Sequence, residues 1–173
     1  MVCRLAIILP WLFLSLSPAH AGESITTGFS PGNAAEVVEG AIAHAHQTID
    51  VAAYEFTARD IADALIAAKQ RGVVVQVVLD AKSNRKHHPA VDAMAAVDIP
   101  IRLNDRYAIM HDKFMVIDGK TVETGSFNYT ASAERRNAEN VIVIRDAPPL
   151  AKQYLENWQK LWDEGKNSQA AQE

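Results

Sequence analysis

Cysteine is almost absent from this 173-residue chain: Cys3 is the single one. Past it there is no disulfide, no thiolate nucleophile and no thiolate metal site. Long apolar runs are scarce as well. "LAIILPWLFLSLS" follows Arg4 and falls short of the about 20 residues that a spanning helix needs. Pro18 and Ala19-His20-Ala21 come next. A positive start, a short apolar stretch and a small-x-small site make the pattern of a secretory signal peptide cut after Ala21. An uncleaved anchor is the rival reading, but the flanks and the length suit export better. Cys3 stands ahead of the run rather than at the cleavage site, so it is badly placed for a lipid anchor. Residues 1–21 are therefore expected to be a leader and 22–173 one domain, large enough to bury its own core. Export to the periplasm, or to the medium of a cell with no outer membrane, is expected, with no stable membrane association after cleavage.

A positive excess is missing too. The chain has 17 Lys and Arg against 21 Asp and Glu, and removing the leader with Arg4 leaves a net charge of −5. Nonspecific nucleic-acid binders usually advertise themselves by basic charge. Any polyanion met here must be met by a local cluster. Two stretches offer one: "AKSNRKHH", with Lys82, Arg85 and Lys86, and the pair Arg135-Arg136. The plainer reading of each is a solvated loop. His44 and His46 are two apart on a predicted helix and face different ways, so no metal site is expected, and no cofactor.

What is present reads as alternating strands and helices. Ile25 to Phe29 suggests a short strand. Asn33 with Glu36, and Thr57 with Asp60, have the spacing of helix-start capping boxes. Val37, Val38, Ala41, Ile42 and Ala45 follow the first, and Ile61, Ala64, Leu65 and Ala68 the second, at helical spacing. Between them "TIDVAAYEF" (48–56) reads as a strand. Val73 to Asp80 is nearly continuous β-branched sequence, as in a strand buried on both faces. A helix over 90–97, a strand over 100–103, a hairpin of 113–117 and 121–124 through Asp118-Gly119, and a strand over 140–145 follow. Pro148-Pro149 opens a last helix with Tyr154, Leu155, Trp158, Leu161 and Trp162 on one face. The tail from Gly165 reads as polar and frayed. The order implies βαβ units and an α/β fold: a mixed, largely parallel sheet flanked by helices on both faces.

The stretch "HDKFMVIDGKTVETGSFNYT" (111–130) gathers unusual chemistry around an apolar run. On a strand His111 and Lys113 point the same way, as do Ser126 and Asn128 if that segment stays extended. A hairpin brings the ends of its arms together, and with them an imidazole, an ammonium, a hydroxyl and an amide. Gly125 lets another backbone or a ligand approach closely. These groups suit phosphate chemistry: cation and neutral donors hold nonbridging oxygens, and the histidine attacks phosphorus or moves a proton. Asp118 before Gly119 reads as turn chemistry.

His111-x-Lys113-x4-Asp118-x6-Gly125-Ser126-x-Asn128 resembles the signature of the phospholipase D superfamily without a gap. "GFSPGNAAEVV", "AAYEFTARDIADALIAAKQRGVVVQVVLD" and "NWQKLWDEG" extend the likeness along nearly all of 22–173, toward the small single-motif bacterial endonucleases of that superfamily, the Nuc type. The resemblance implies that His111 is catalytic, that Lys113, Ser126 and Asn128 bind phosphate, and that Glu139 hydrogen-bonds the histidine. It implies that one motif histidine forms a phosphohistidine while a second protonates the leaving oxygen and then activates water. Asp118 and Gly125 are expected to be structural.

That mechanism needs two histidines and the chain carries one motif. Two copies meeting at a two-fold axis supply the second, so a homodimer with a shared active site is expected. The expected activity is metal-independent phosphodiester hydrolysis by a nonspecific endonuclease acting on DNA, with RNA as a further substrate. A phospholipase D acting on lipid head groups uses the same chemistry and is the nearest rival. The small size and the lack of an amphipathic membrane helix weigh against it. A non-catalytic nucleic-acid-binding module is the third reading; binding alone would not require His111.

Overall fold

The computed structural model describes residues 22–85 and 88–168. The expected leader, and Lys86 with His87 of the basic stretch, lie outside the described residues. In chain order the elements are β1 (Ser24–Ser30), α1 (Ala34–Ala43), β2 (Thr48–Ala53), α2 (Arg59–Gln70), β3 (Val74–Asp80), α3 (Pro89–Ala96) and β4 (Ile101–Asn104), then β5 (Lys113–Ile117), β6 (Thr121–Gly125), α4 (Ala131–Arg135), β7 (Glu139–Arg145), α5 (Pro148–Glu164) and β8 (Lys166–Asn167). Eight strands form one sheet in the order β1-β7-β6-β5-β2-β3-β4-β8. Helices cover both faces, and the mixed α/β sandwich is as expected.

The balance of the sheet differs from the expectation. Only β2–β3 and β3–β4 are parallel, and the pairs from β1 through β7, β6 and β5 to β2 run antiparallel. The reason lies in the connections. Parallel neighbours need a long crossover, normally a helix, and α2 and α3 supply two. Between β4 and β5 there is only the loop 105–112. β5 then returns to the far side of β2, and a tight turn forces β6 antiparallel to it.

Two layers of side chains hold the sandwich. Val38, Ile42, Ile61, Leu65 and Met94 from α1, α2 and α3 bury against Ile49, Val51, Val77 and Met115 on one face. On the other face Ala151, Trp158 and Leu161 of α5 pack on Ala52, Val78, Phe114, Val116 and Val122. Trp158 also donates its indole N–H to the Val51 carbonyl at 2.9 Å, which satisfies its one polar atom. The aromatic stripe of α5 is core, as its spacing implies.

Local details depart from sequence rules where tertiary partners intervene. Neither anticipated capping box forms. Asn33 turns its Oδ1 to the Phe29 N–H, and α2 starts from Ala58 with no side-chain cap, because the Thr57 and Ala58 amides are bound by the Tyr129 carbonyl. β2 stops at Ala53, and Phe56 instead bridges to Tyr129. α1 ends at Ala43, so His44 and His46 lie beyond it. The tail is not frayed at 166–167: β8 pairs with β4, and Lys166 meets Asp105 at 2.9 Å.

The turn between β5 and β6 anchors the sheet's distant end. Asp118 and Gly119 both take left-handed φ, 53° and 61°, and the Lys120 N–H closes on the Ile117 carbonyl. The Asp118 carboxylate accepts from the amides of His46, Gln47 and Thr48, the last two at 2.7 and 3.0 Å. Burial pushes this carboxyl up, but those amides and the nearby His46 outweigh it and hold it below its ordinary value. Asp118→Ala is expected to cost about 2 kcal/mol in urea denaturation, allowing for the turn's exposure. The folded pKa lies below the unfolded one, so the wild type's advantage is present above the unfolded pKa and is lost as pH falls through the folded pKa.

Candidate active site

The strand register puts the signature residues together at one end of the sheet. Phe114 pairs with Thr124, Ala53 with Lys113 and Gly125 with Val141. His111 and Lys113 thus lie at the start of β5, Ser126 and Asn128 just past the end of β6, and Glu139 at the start of β7. Gly125 has a specific reason to be glycine. A Cβ there would collide with the Asn140 carbonyl oxygen, so a neighbouring backbone occupies the space.

Lys113 is the most constrained of the set. It is buried, and its Nζ donates to the His111 carbonyl at 2.6 Å while lying 5.1 Å from the Tyr54 ring centre. Burial pushes its ammonium down in pKa, against the pull of Asp112 and Glu139. Two of its three N–H groups remain for an anion. His111 is exposed, and its ring stands edge-on to Tyr54 at 4.6 Å between centres.

Ser126 and Glu139 form a unit. Ser126 donates to Glu139 Oε2 at 2.6 Å and accepts from the Asn140 amide at 3.1 Å. Asn137 donates to the other carboxylate oxygen at 2.9 Å. Among the described residues no hydrogen bond joins Glu139 to the His111 of the same chain; the carboxylate instead fixes the Ser126 hydroxyl. Asn128 has a buried Oδ1 with no hydrogen-bond partner among the described residues. Rotating that amide would present its N–H2 in the same place.

The basic stretches are less closely drawn in. Lys82 spends its ammonium on the Ala108 carbonyl at 2.7 Å, a structural bond in the loop leading to His111. Arg85 is exposed. Arg135 faces Glu134 at 3.5 Å and Arg136 is exposed at the end of α4. His44 and His46 line a small cavity with Asp118, Lys120, Arg145 and Asp146 near the opposite end of β5. No three His, Cys, Asp or Glu side chains among the described residues are grouped to hold a metal.

The family model described as "Cardiolipin synthase, PLD-like domain" matches residues 38–162. The chain belongs to the phospholipase D superfamily. It is thereby a phosphodiesterase, with its signature histidine, lysine and asparagine at one end of the sheet. It is similar to the solved phospholipase D family member Nuc from Salmonella typhimurium, at 43% identity and a TM-score of 0.81, covering 84% of this chain and 98% of that one. NucT from Helicobacter pylori shares the fold at 24% identity and a TM-score of 0.72, covering 84% and 99%. Among curated proteins it is similar to a phospholipase D of Rickettsia felis, at 37% identity over 137 residues, 79% of this chain and 68% of that one.

Three supports of this site carry no signal in the signature. Asp80, buried at the end of β3, accepts from Ser83 N–H at 2.8 Å and from Met110 N–H at 2.8 Å, and so fixes the residue before His111. Asn84 donates to the Tyr54 carbonyl and accepts from Phe56 N–H. Glu123 is fully buried behind the site and accepts from the Tyr129 hydroxyl at 2.6 Å. Tyr129 follows Asn128 directly. An acid inside a strand, two residues before Gly125, was the available clue.

Burial pushes the Glu123 carboxyl up to about 8, the Tyr129 bond pulling only partly the other way. The folded protein then binds a proton that the unfolded chain releases near its ordinary carboxylate pKa. Stability should fall as pH rises from there to about 8 and then level off. Glu123→Gln keeps the shape and removes the titration. Its melting temperature relative to wild type is expected to rise between pH 5 and pH 8, as read by calorimetry; a pH-independent difference would contradict the assignment.

Proposed function

We propose that this chain is an exported, metal-independent endonuclease that hydrolyses DNA, and RNA besides, without sequence preference. One observation carries the reading: a signature histidine with its phosphate-holding partners stands at an open strand end, in a chain matching 98% of Nuc at 43% identity. The Rickettsia relatives named phospholipase D favour lipid head groups as the second reading. Export rests on the N-terminal pattern alone.

In the proposed reaction a ring nitrogen of neutral His111 attacks phosphorus. A P–N bond forms, the P–O bond to the leaving oxygen breaks, and the partner subunit's His111 gives that oxygen a proton. The same group then takes a proton from water, whose oxygen displaces the first histidine and completes the hydrolysis. Lys113, Asn128 and Ser126 hold the nonbridging oxygens as charge builds up.

The single motif histidine makes a homodimer part of the proposal. An exposed apolar strip supports it. Ile25 and Phe29 on edge strand β1 are 60% and 61% exposed, and Phe29 lies opposite Asn140, which binds Ser126. Phe29→Asp is expected to shift the protein from dimer to monomer in analytical ultracentrifugation and to abolish cleavage. A fully active monomer would sink the shared site.

The primary test is nicking of supercoiled plasmid in excess EDTA. Wild type should nick, and His111→Asn should be slower by about a thousandfold or more. Release of head groups from phospholipid vesicles without any nicking would put the lipid reading in its place.

A further inference from the structure

The loop 105–112 is pinned at three points. Arg106 N–H donates to Asn104 Oδ1 at 3.0 Å, Lys82 Nζ to the Ala108 carbonyl at 2.7 Å, and Met110 N–H to Asp80 Oδ2 at 2.8 Å. A backbone held this way fixes the side chains between its pins. They line a cleft of about 410 Å3 that His111 and Asp112 also border, and Asn157, Lys160 and Leu161 of α5 line it too. The size falls within the range of small-ligand sites, about 300–1,000 Å3.

The lining is mixed in a particular way. Tyr107 is half-buried and Ile109 is 55% exposed, an apolar side chain that packing leaves open. Lys160 of α5 stands over the Tyr107 ring at 6.0 Å, the outer limit of a cation–π contact. It is exposed, so it is free to turn to an anion. Asn157 and Asp112 add donors and acceptors at the rim. An acyl chain laid here would desolvate the Lys160 ammonium, the Asn157 amide and the Asp112 carboxylate without offering any of them a hydrogen bond. A planar base beside a phosphate meets all of them: a ring to stack on, a cation for the anion, polar groups for the base edge.

We propose that this cleft is a nucleotide subsite. It takes the base beside the scissile phosphate against Tyr107 and Ile109, with Lys160 on the adjoining phosphate. The inference rests on the nuclease reading and names part of its substrate contact.

End-labelled single-stranded oligonucleotides carrying one abasic position test it, with every cut mapped at nucleotide resolution. Wild type should cut about tenfold less at a bond flanking the abasic position, the scale of one lost base–aromatic stack. Tyr107→Phe should keep that pattern. Tyr107→Ala should cut about tenfold less throughout and no longer sense the abasic position. Lys160→Ala, a change on the helix surface, should lower cutting and flatten its salt dependence even if the Tyr107→Ala protein folds poorly. Wild-type rates and an unchanged abasic gap in both alanine variants would overturn the subsite while leaving the nuclease reading intact. A wild type that cuts no oligonucleotide but hydrolyses phospholipid vesicles would overturn both.

Discussion

The register of β5 against β6 and β2 is the constraint on which the site depends. Side chains alternate along a strand, so a slip of one residue would send every one to the opposite face. Here Phe114 and Val116 meet α5 while Met115 and Ile117 meet the α1–α2 layer. Lys113 shares the face of the latter pair. The Asp118 turn locks this arrangement from the far end by gathering three amides of the segment entering β2. The same lock therefore sets β5 against both neighbours. Gly125 completes it, since only a residue without Cβ passes the Asn140 carbonyl.

Around this frame the protein buries polar groups that would be costly unpaired. Asp80 and Asn84 tie the end of β3 to the loops carrying Met110, Tyr54 and Phe56. The Glu123–Tyr129 pair ties β6 to the segment following Asn128. Each bond is ordinary in strength. Their common effect is to fix loop residues against strands, which suits a site needing placement within a fraction of an ångström. Lys113 is the counterpart: its burial weakens the ammonium's hold on its proton, and a bound phosphate would restore it.

Proteins similar to this chain carry the names Nuc and NucT on one side and phospholipase D on the other. On the proposed mechanism the signature residues act on the phosphodiester and leave open what is attached to it. Discrimination has to come from surfaces that touch the rest of the substrate. On the proposed reading those surfaces are the cleft beside His111, lined by Tyr107, Asn157 and Lys160 as well as Ile109, and the open strand end itself.

Much was legible along the chain. The hairpin through Asp118-Gly119, the helices at 34–43 and 59–70 and the aromatic face of α5 follow from turn chemistry and periodicity, which are local properties. The signature residues follow from a fixed spacing. Contacts between distant segments were not legible. The largely parallel sheet failed because strand order depends on which edge β5 joins, and β8 was missed because two residues carry no periodicity. The second capping box yielded to a carbonyl far away in sequence, that of Tyr129, while Asn33 of the first turned back to the Phe29 amide. Glu139 shows the division most clearly. The family resemblance marked it as a site residue, but Ser126 and Asn137 hold it for reasons of three-dimensional neighbourhood. The sequence by itself determined the chemistry, since side-chain identity and spacing are written in it. The tertiary structure decided who touches whom, since hydrogen-bond partners and register are settled by packing between segments that the chain keeps apart.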